Sequence, residues 1–266
     1  MFLSKSVRAR LVPIKNITDA DKQEMYHLFI KYYDNVGHTT FLRDFNKKEH
    51  VCIMRTKAGN AIVGFSTVTR IKVSHNGSRY MGVFSGDTVI EKKYWGSIAI
   101  HLCFLRYLFL QRLLHPFANI FWFLITKGYK TYLLMANNFY GYYPRYDREA
   151  NPQLAELTKL FCHSLYPGIY SEKTGLLAFG EGYQKLKDNV ANIDDEMKMK
   201  YPKVAFFEKV NPTWRDGTEL PCLVEIAWFS LLKTSVVFIL RKCLKKKKRS
   251  NIAIERLPQA NREELS

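Results

Sequence analysis

A glycine turn between a strand and a helix is the first feature of the sequence that could do chemistry. The stretch VFSGDTVIEKKYWGSIAIH (residues 83–101) begins as a strand and ends as a helix, and its turn contains Lys93, Trp95, Gly96 and Ser97. Backbone N–H groups in such a turn, together with the dipole of the following helix, bind phosphate groups. The turn is therefore a candidate phosphate site, although a strand, one glycine and a helix also occur in many α/β proteins that bind none.

Polar side chains on both sides of this turn could move a proton or hold a charged substrate. Alternation along the strand predicts that Ser85 and Asp87 share one face. The Asp87 carboxylate could act as a base or hold a cationic amine, or it could form a turn with Gly86 or cap a helix. His101, one turn into the helix, is a second candidate base, and a core histidine is the alternative.

A tyrosine-rich loop, NNFYGYYPRYDREANP (residues 137–152), supplies a second group of candidates. The two-pronged guanidinium of Arg145 could bind a substrate carboxylate, with Ser85 and Tyr146 as further substrate-binding candidates. The alternative is that the aromatic side chains pack the loop onto the sheet. The sequence contains no metal-binding motif and no G-x-S-x-G nucleophile elbow.

The elements that must position these groups follow from periodicity and from turn residues. Strands are predicted over 8–14, 50–56, 61–73, 78–90 and 129–136, with a closing pair over 203–212 and 219–228. Helices are predicted over 19–36, 41–50, 97–115 and 117–128, and a helical insertion over about 147–200. This order indicates an α/β (α+β) fold with a mixed, mainly antiparallel twisted sheet flanked by helices.

The order of elements, with the turn at 93–98, resembles the GNAT superfamily of acyltransferases over residues 8–225. In that family the turn resembles Q/R-x-x-G-x-G/A. Here Lys93 stands where Gln or Arg is usual, Gly96 matches, and Ile98 stands where a second small residue is expected. The resemblance implies that the turn holds the pyrophosphate of an acyl donor. It also implies that Asp87 is a base and that Tyr142 or Tyr143 is the acid facing the donor sulfur.

Ile98 is the main departure from the family pattern. A β-branched residue does not allow the close backbone approach that Gly or Ala gives, so a full coenzyme A pyrophosphate fits less well than the single phosphate of a phosphopantetheine arm. This points to an acyl carrier protein, or acyl-CoA, as donor substrate without a permanently bound cofactor. The nearest comparison is then the N-acyl amino acid synthases and the acyl-homoserine-lactone synthases. Large apolar side chains could line a tunnel for a long acyl chain or form ordinary core: Phe104, Phe109, Phe121, Trp122 and Phe123.

Composition narrows the classes of partner. The 266 residues carry a formal net charge of +17, which indicates an acidic partner such as an acyl carrier, an anionic membrane or nucleic acid. The five cysteines have no metal-ligand spacing, which favours reduced thiols in a cytoplasmic protein. The N-terminal residues lack an apolar run long enough for a signal peptide.

The segment 226–266 reads as an amphipathic, polybasic tail after a domain spanning 1–225. Its apolar part is interrupted by Lys233 and is shorter than the roughly 20 residues of a membrane span. Aromatic residues at one end and lysines at the other predict an interfacial helix on the inner face of a membrane, through Trp228, Phe229, Lys245, Lys246, Lys247 and Lys248. A packed final helix is the alternative. Nucleic acid is disfavoured because the aromatics are not interleaved with the lysines.

Two functions follow. The first is an N-acyltransferase that moves a fatty acyl group from a carrier thioester to a small amine or amino-acid-like acceptor at the membrane surface. The second is a non-catalytic protein of the same fold that binds a lipid or a carrier and docks at membranes, which the single glycine of the turn would suit.

Overall fold

A seven-stranded sheet forms the centre of the computed structural model, which describes residues 7–188, 190–229 and 231. The strands of the described residues are β1 (Val7–Pro13), β2 (Tyr33–Asp34), β3 (His50–Thr56), β4 (Ile62–His75), β5 (Ser78–Ile90), β6 (Asn119–Thr126), β7 (Tyr142–Tyr143), β8 (Tyr170–Ser171), β9 (Leu176–Leu177), β10 (Lys185–Leu186) and β11 (Leu220–Glu225). The α-helices are α1 (Asp19–Phe29), α2 (His38–Asn46), α3 (Ala99–Leu114), α4 (Tyr129–Ala136), α5 (Pro152–Leu165), α6 (Asp195–Lys200) and α7 (Pro202–Val210).

The sheet runs in the order β1-β3-β4-β5-β6-β11-β7, and every neighbouring pair is antiparallel except β5 and β6. These two parallel strands are joined by α3, as a parallel connection requires. Helices α3, α4 and α7 cover one face of the sheet, and α1, α2 and α5 cover the other. The predicted mixed, mainly antiparallel sheet flanked by helices is confirmed.

Alternating side chains of the central strands build the two cores. On β6, Trp122 and Leu124 pack toward α3 and α4, whereas Phe121 and Phe123 pack toward α5. Both faces of this strand are buried, which explains why its sequence is an uninterrupted apolar run. The cysteines at 52, 103, 162 and 222 are buried free thiols within these cores.

Three predicted elements are wrong in type. The segment predicted as a helix over 117–128 contains strand β6, and the segment predicted as a strand over 129–136 is helix α4. The apolar run of β6 is short, aromatic and bounded by Pro116 and Gly128, which favours a strand, while the buried side chains of α4 recur at helical spacing. The strand predicted over 203–212 is helix α7, which starts with Pro202 at its first position.

The insertion over 147–200 is helical only in part. It contains α5 and α6, but the segment between them forms the short strands β8, β9 and β10 and several turns. Strand β10 pairs with β2, so this segment folds back onto the chain that follows α1. The insertion therefore closes one side of the sheet near the ends of β5 and β6.

Candidate functional site

The sheet opens between β5 and β6. Their parallel pairing ends at Ser85 and Leu124; from there β5 continues to Ile90 on β4, and β6 continues to Thr126 on β11. A bulge lies at the same point, because the register passes from Ser66↔Thr88 to Val68↔Ser85, which leaves Gly86 and Asp87 opposite one residue of β4. Bulges re-aim side chains and end strand pairing, and this one does both.

A cavity of about 1100 Å³ fills this opening and reaches both faces of the sheet. On the α3 face it is lined by the turn after β5 and by apolar side chains. On the other face it is lined by Asp87, by the insertion and by the segment that follows α2. Of the residues predicted from the sequence, the cavity brings together Ser85, Asp87, Trp95, Gly96, Ser97 and His101.

The turn after β5 is held in place by the end of α1. The Tyr32 hydroxyl accepts a hydrogen bond from the backbone N–H of Lys92 (2.6 Å) and donates to the carboxylate of Glu91 (3.1 Å). The ammonium of Lys31 binds the same carboxylate at 3.1 Å. Gly96 has φ +84°, a conformation that favours glycine, so the single glycine of the turn is the one the backbone requires.

The cation that faces the cavity at this turn is Lys130, which sequence reasoning missed. Its ammonium lies 3.9 Å from the centroid of the Trp95 ring, while the Trp95 indole N–H donates to the carbonyl of Ile90 at 2.7 Å. Burial, and secondarily the neighbouring charge of Lys92, lower the pKa of Lys130. Lys93, the predicted cation, lies outside the cavity lining, with its ammonium 5.2 Å from the Tyr94 ring centroid.

Apolar side chains continue the cavity along α3. Phe104 and Trp122 line it, as the tunnel prediction requires, but Phe109, Phe121 and Phe123 do not. His101 lies among these apolar side chains, and burial lowers its pKa, so it is neutral at physiological pH. This end of the cavity suits an uncharged chain.

Ser85 and Asp87 do not share a face, because the bulge breaks the alternation. The Ser85 hydroxyl accepts a hydrogen bond from the Trp122 indole at 2.8 Å on the α3 side. Asp87 instead interacts with Lys48, Lys127 and Gln184 on the other side. Burial raises the pKa of Asp87, against the opposing effects of these two lysines, which brings the carboxyl closer to the range of a working base.

A buried ion pair stands next to Asp87. The Lys127 ammonium binds the Glu219 carboxylate, and both side chains are almost fully shielded from solvent. The Tyr183 hydroxyl donates to the same carboxylate at 3.3 Å, and the Tyr183 ring centroid lies 4.6 Å from the Lys127 ammonium. Burial raises the pKa of Tyr183 and of Tyr33, so both hydroxyls keep their protons at neutral pH. The polar cluster is defined here as Tyr33, Asp87, Lys127, Tyr183, Gln184 and Glu219.

The candidates from the tyrosine-rich loop lie away from the cavity. Tyr142 and Tyr143 form the edge strand β7 on β11. Arg145 binds Asp147 at 2.7 Å and lies 4.6 Å from the Tyr142 ring centroid, and Tyr146 lies 5.3 Å from the ammonium of Lys203. The loop follows α4 rather than a sheet strand, so it leaves the cavity at its start.

The membrane residues predicted from the sequence are described only in part. Trp228 packs against Phe109 with ring centroids 5.9 Å apart, and Phe229 is 76% exposed. Lys245, Lys246, Lys247 and Lys248 lie outside the described residues. None of the helices that the described residues form is long and apolar enough to cross a membrane.

Comparisons with solved structures find proteins described as acyltransferases. No protein-family model matches the chain, and neither does any curated protein. A protein of Enterococcus faecalis V583 described as a probable N-acyltransferase is 17% identical, with a TM-score of 0.38, over 48% of this chain and 31% of that one. A GNAT family N-acetyltransferase of Escherichia coli, in complex with CoA, is 11% identical, with a TM-score of 0.33, over 49% of this chain and 68% of that one.

A third similar structure is glucosamine-6-phosphate N-acetyltransferase from Arabidopsis thaliana. It is 14% identical, with a TM-score of 0.30, over 43% of this chain and 77% of that one. Each likeness therefore covers less than half of the present chain, and the activities named belong to those proteins.

Proposed function

We propose that this protein is an N-acyltransferase that moves an acyl group from a pantetheine thioester to an amine. The observation that carries the proposal is the cavity through the sheet, which joins the turn at 92–97 to the polar cluster around Asp87. A thioester arm and an amine can meet in such a cavity from opposite faces of the sheet. The reacting atoms would then lie at the bulge, between the two strand ends.

The donor arm enters on the α3 face. The backbone N–H groups of Trp95 and Ser97 already donate to the carbonyls of Lys92 and Tyr94, so the N–H of Gly96 is the candidate to hold a phosphate. Lys130 supplies a positive charge beside Trp95. The apolar side chains along α3 receive the acyl chain, which supports a fatty rather than an acetyl group. Acyl-CoA and an acyl carrier protein share the pantetheine thioester. The single glycine and the net charge of +17 favour the carrier.

The chemistry requires one base and one acid. The Asp87 carboxylate takes a proton from the acceptor ammonium, and the free amine attacks the thioester carbonyl to form a C–N bond. The C–S bond then breaks, the nitrogen loses its second proton to the medium, and the leaving thiolate takes a proton from the medium. The products are an amide and a free thiol.

The membrane surface is a further part of the proposal. Exposed apolar side chains at the end of α3 adjoin Trp228 and Phe229 and form one patch: Phe109, Leu110, Leu113, Leu114 and Phe117. Phe117 is 99% exposed. Insertion of this patch into anionic headgroups would let a lipid-like acyl product pass from the cavity into the membrane.

Thiol release and amide formation test the activity. Purified protein is incubated with acyl carrier and acyl-CoA donors of several chain lengths plus pooled amines, and mass spectrometry detects the amides. Asp87→Asn should lower the rate about 100-fold, whereas Asp195→Asn, an exposed aspartate of α6, should leave it unchanged. Binding of donor without amide formation under any condition would favour the non-catalytic carrier-binding function instead.

Vesicle flotation tests the membrane patch separately. Phe117→Ser with Phe229→Ser should lower binding to vesicles containing phosphatidylserine, and Met199→Ser, an exposed apolar residue on α6, should not. Equal binding by both variants would refute the assignment of this patch.

A further inference from the structure

Lys48 is a cation in the cavity that the reaction proposed above does not use. The chain at this point is fixed, because the backbone N–H of Lys48 bonds to the carbonyl of Phe45 and that of Glu49 bonds to the carbonyl of Val68, both at 3.1 Å. The side chain of Lys48 then runs across the bulge. Its Cε lies 3.3 Å from the position that a Cβ on Gly86 would occupy, and its ammonium lies 5.3 Å from the Phe84 ring centroid.

The other charges on this side of the cavity are paired. Lys127 binds Glu219, and Asp44 lies 3.6 Å from the guanidinium of Arg43 and 3.5 Å from the ammonium of Lys47. Among the described residues Lys48 forms no ion pair, and neither does Asp87. The positive charge of Lys48 lowers the pKa of Asp87, although the two side chains form no ion pair. One cation and one carboxylate thus face a common space.

We infer that the acceptor is a small zwitterion, an amine that also bears a carboxylate or a phosphate. Asp87 holds the ammonium, and Lys48 binds the anionic group of the same molecule. The inference rests on the proposed function, because it names the acceptor of that reaction. Lys127 cannot take this role while Glu219 neutralises it. Arg145, the residue predicted from the sequence to bind a carboxylate, is held by Asp147 outside the cavity.

Aromatic side chains next to these two groups guide the choice of probe. The rings of Phe84 and Tyr166 lie 6.3 Å apart, those of Tyr166 and Phe179 lie 5.1 Å apart, and all three line the cavity. An acceptor with an aromatic side chain can pack against them. Tyrosine and tyramine are a matched pair because they differ only in the carboxylate, and phosphoethanolamine with ethanolamine provides the corresponding pair for a phosphate.

The experiment measures binding of these four compounds by calorimetry without donor, and kcat/KM for thiol release with donor. The wild type should prefer the zwitterion of at least one pair by about tenfold, as one charge-assisted contact provides. Lys48→Met should abolish that preference, so that the two members of the pair come within twofold of each other. Lys57→Met, which changes an exposed lysine in the turn after β3, is the matched control and should keep the preference.

Each outcome decides the inference. A preference for tyrosine identifies a carboxylate, and a preference for phosphoethanolamine identifies a phosphate. Equal binding of both members of both pairs by the wild type, or an equal loss of both members in Lys48→Met, would overturn it. If Lys48→Met does not fold, the wild-type preference together with Lys48→Gln decides. Binding of a zwitterion without thiol release would refute the acyltransferase proposal while supporting this acceptor site.

Discussion

The buried ion pair of Lys127 and Glu219 in the cavity wall allows a quantitative prediction of unfolding free energy. Lys127→Met leaves the Glu219 carboxylate shielded from water with the Tyr183 hydroxyl as its remaining described hydrogen-bond donor. Leaving one charge of a buried pair uncompensated costs about 3–5 kcal/mol of unfolding free energy. Glu219→Gln should cost less, because the Tyr183 ring and the Asp87 charge still stabilise the Lys127 ammonium.

The double variant distinguishes the interaction energy of the ion pair from the effect of each side chain alone. Lys127→Met with Glu219→Gln removes both charges, so its cost should be about 2 kcal/mol or less and well below the sum of the single changes. The assay is urea unfolding followed by circular dichroism, with the free energy extrapolated to water. Glu172→Gln, which breaks the exposed pair with Lys159, should leave this free energy nearly unchanged. Additive costs of the two single variants would refute the interpretation that the pair is energetically coupled.

Three further predictions concern the bulge, the turn and the base. Gly86→Ala should destabilise the protein by about 1–3 kcal/mol, because a Cβ there would lie 2.6 Å from the Thr67 hydroxyl, while Gly77→Ala, with no atom within 4 Å, should cost about 1 kcal/mol from its positive φ alone. Gly96→Ala should raise KM for the donor, because alanine is strained at a φ of +84° and the turn must shift. Its cost in unfolding free energy should be similar to that of Gly77→Ala, since no atom lies within 4 Å of the added Cβ at either position. An unchanged KM would contradict a role in donor binding. Asp87→Asn should raise thermal stability at neutral pH while it lowers kcat, because burial raises the pKa of Asp87 and its charged form is therefore disfavoured by folding; this gain should vanish as the pH falls below the ordinary aspartate pKa. A loss of stability at neutral pH would refute that sign.

Local patterns predicted the first half of the fold. The strands β3, β4 and β5 carry turn signals between them, and the turn at 93–98 was located by one glycine between a strand and a helix. These features depend on neighbours in sequence, so a single sequence contains them. The strand and the helix within 117–136 were predicted in the wrong order because a continuous apolar run has no periodicity. Its short length and the flanking Pro116 and Gly128 were the signals that favour a strand.

The composition of the site depended on contacts that a single sequence does not display. Lys48, Lys127 and Glu219 come from three separate parts of the chain. Lys127 lies beside Glu219 because β6 pairs antiparallel with β11, and Lys48 lines the same cavity from the segment after α2. The bulge at Gly86 turned Asp87 away from Ser85, which simple alternation placed on one face. Tyr142, Tyr143, Arg145 and Tyr146 were chosen because residues 129–136 were predicted to be a strand that leads to the site. That segment is helix α4, and these four residues lie away from the cavity.

A structure of the protein with a nonhydrolysable acyl-pantetheine donor would show directly whether the donor arm passes between β5 and β6. We expect a phosphate at the backbone N–H of Gly96, the arm between β5 and β6, and the thioester carbon beside the bulge, within reach of an amine held by Asp87. A donor bound on any other surface of the protein, or an arm that does not pass between β5 and β6, would contradict it.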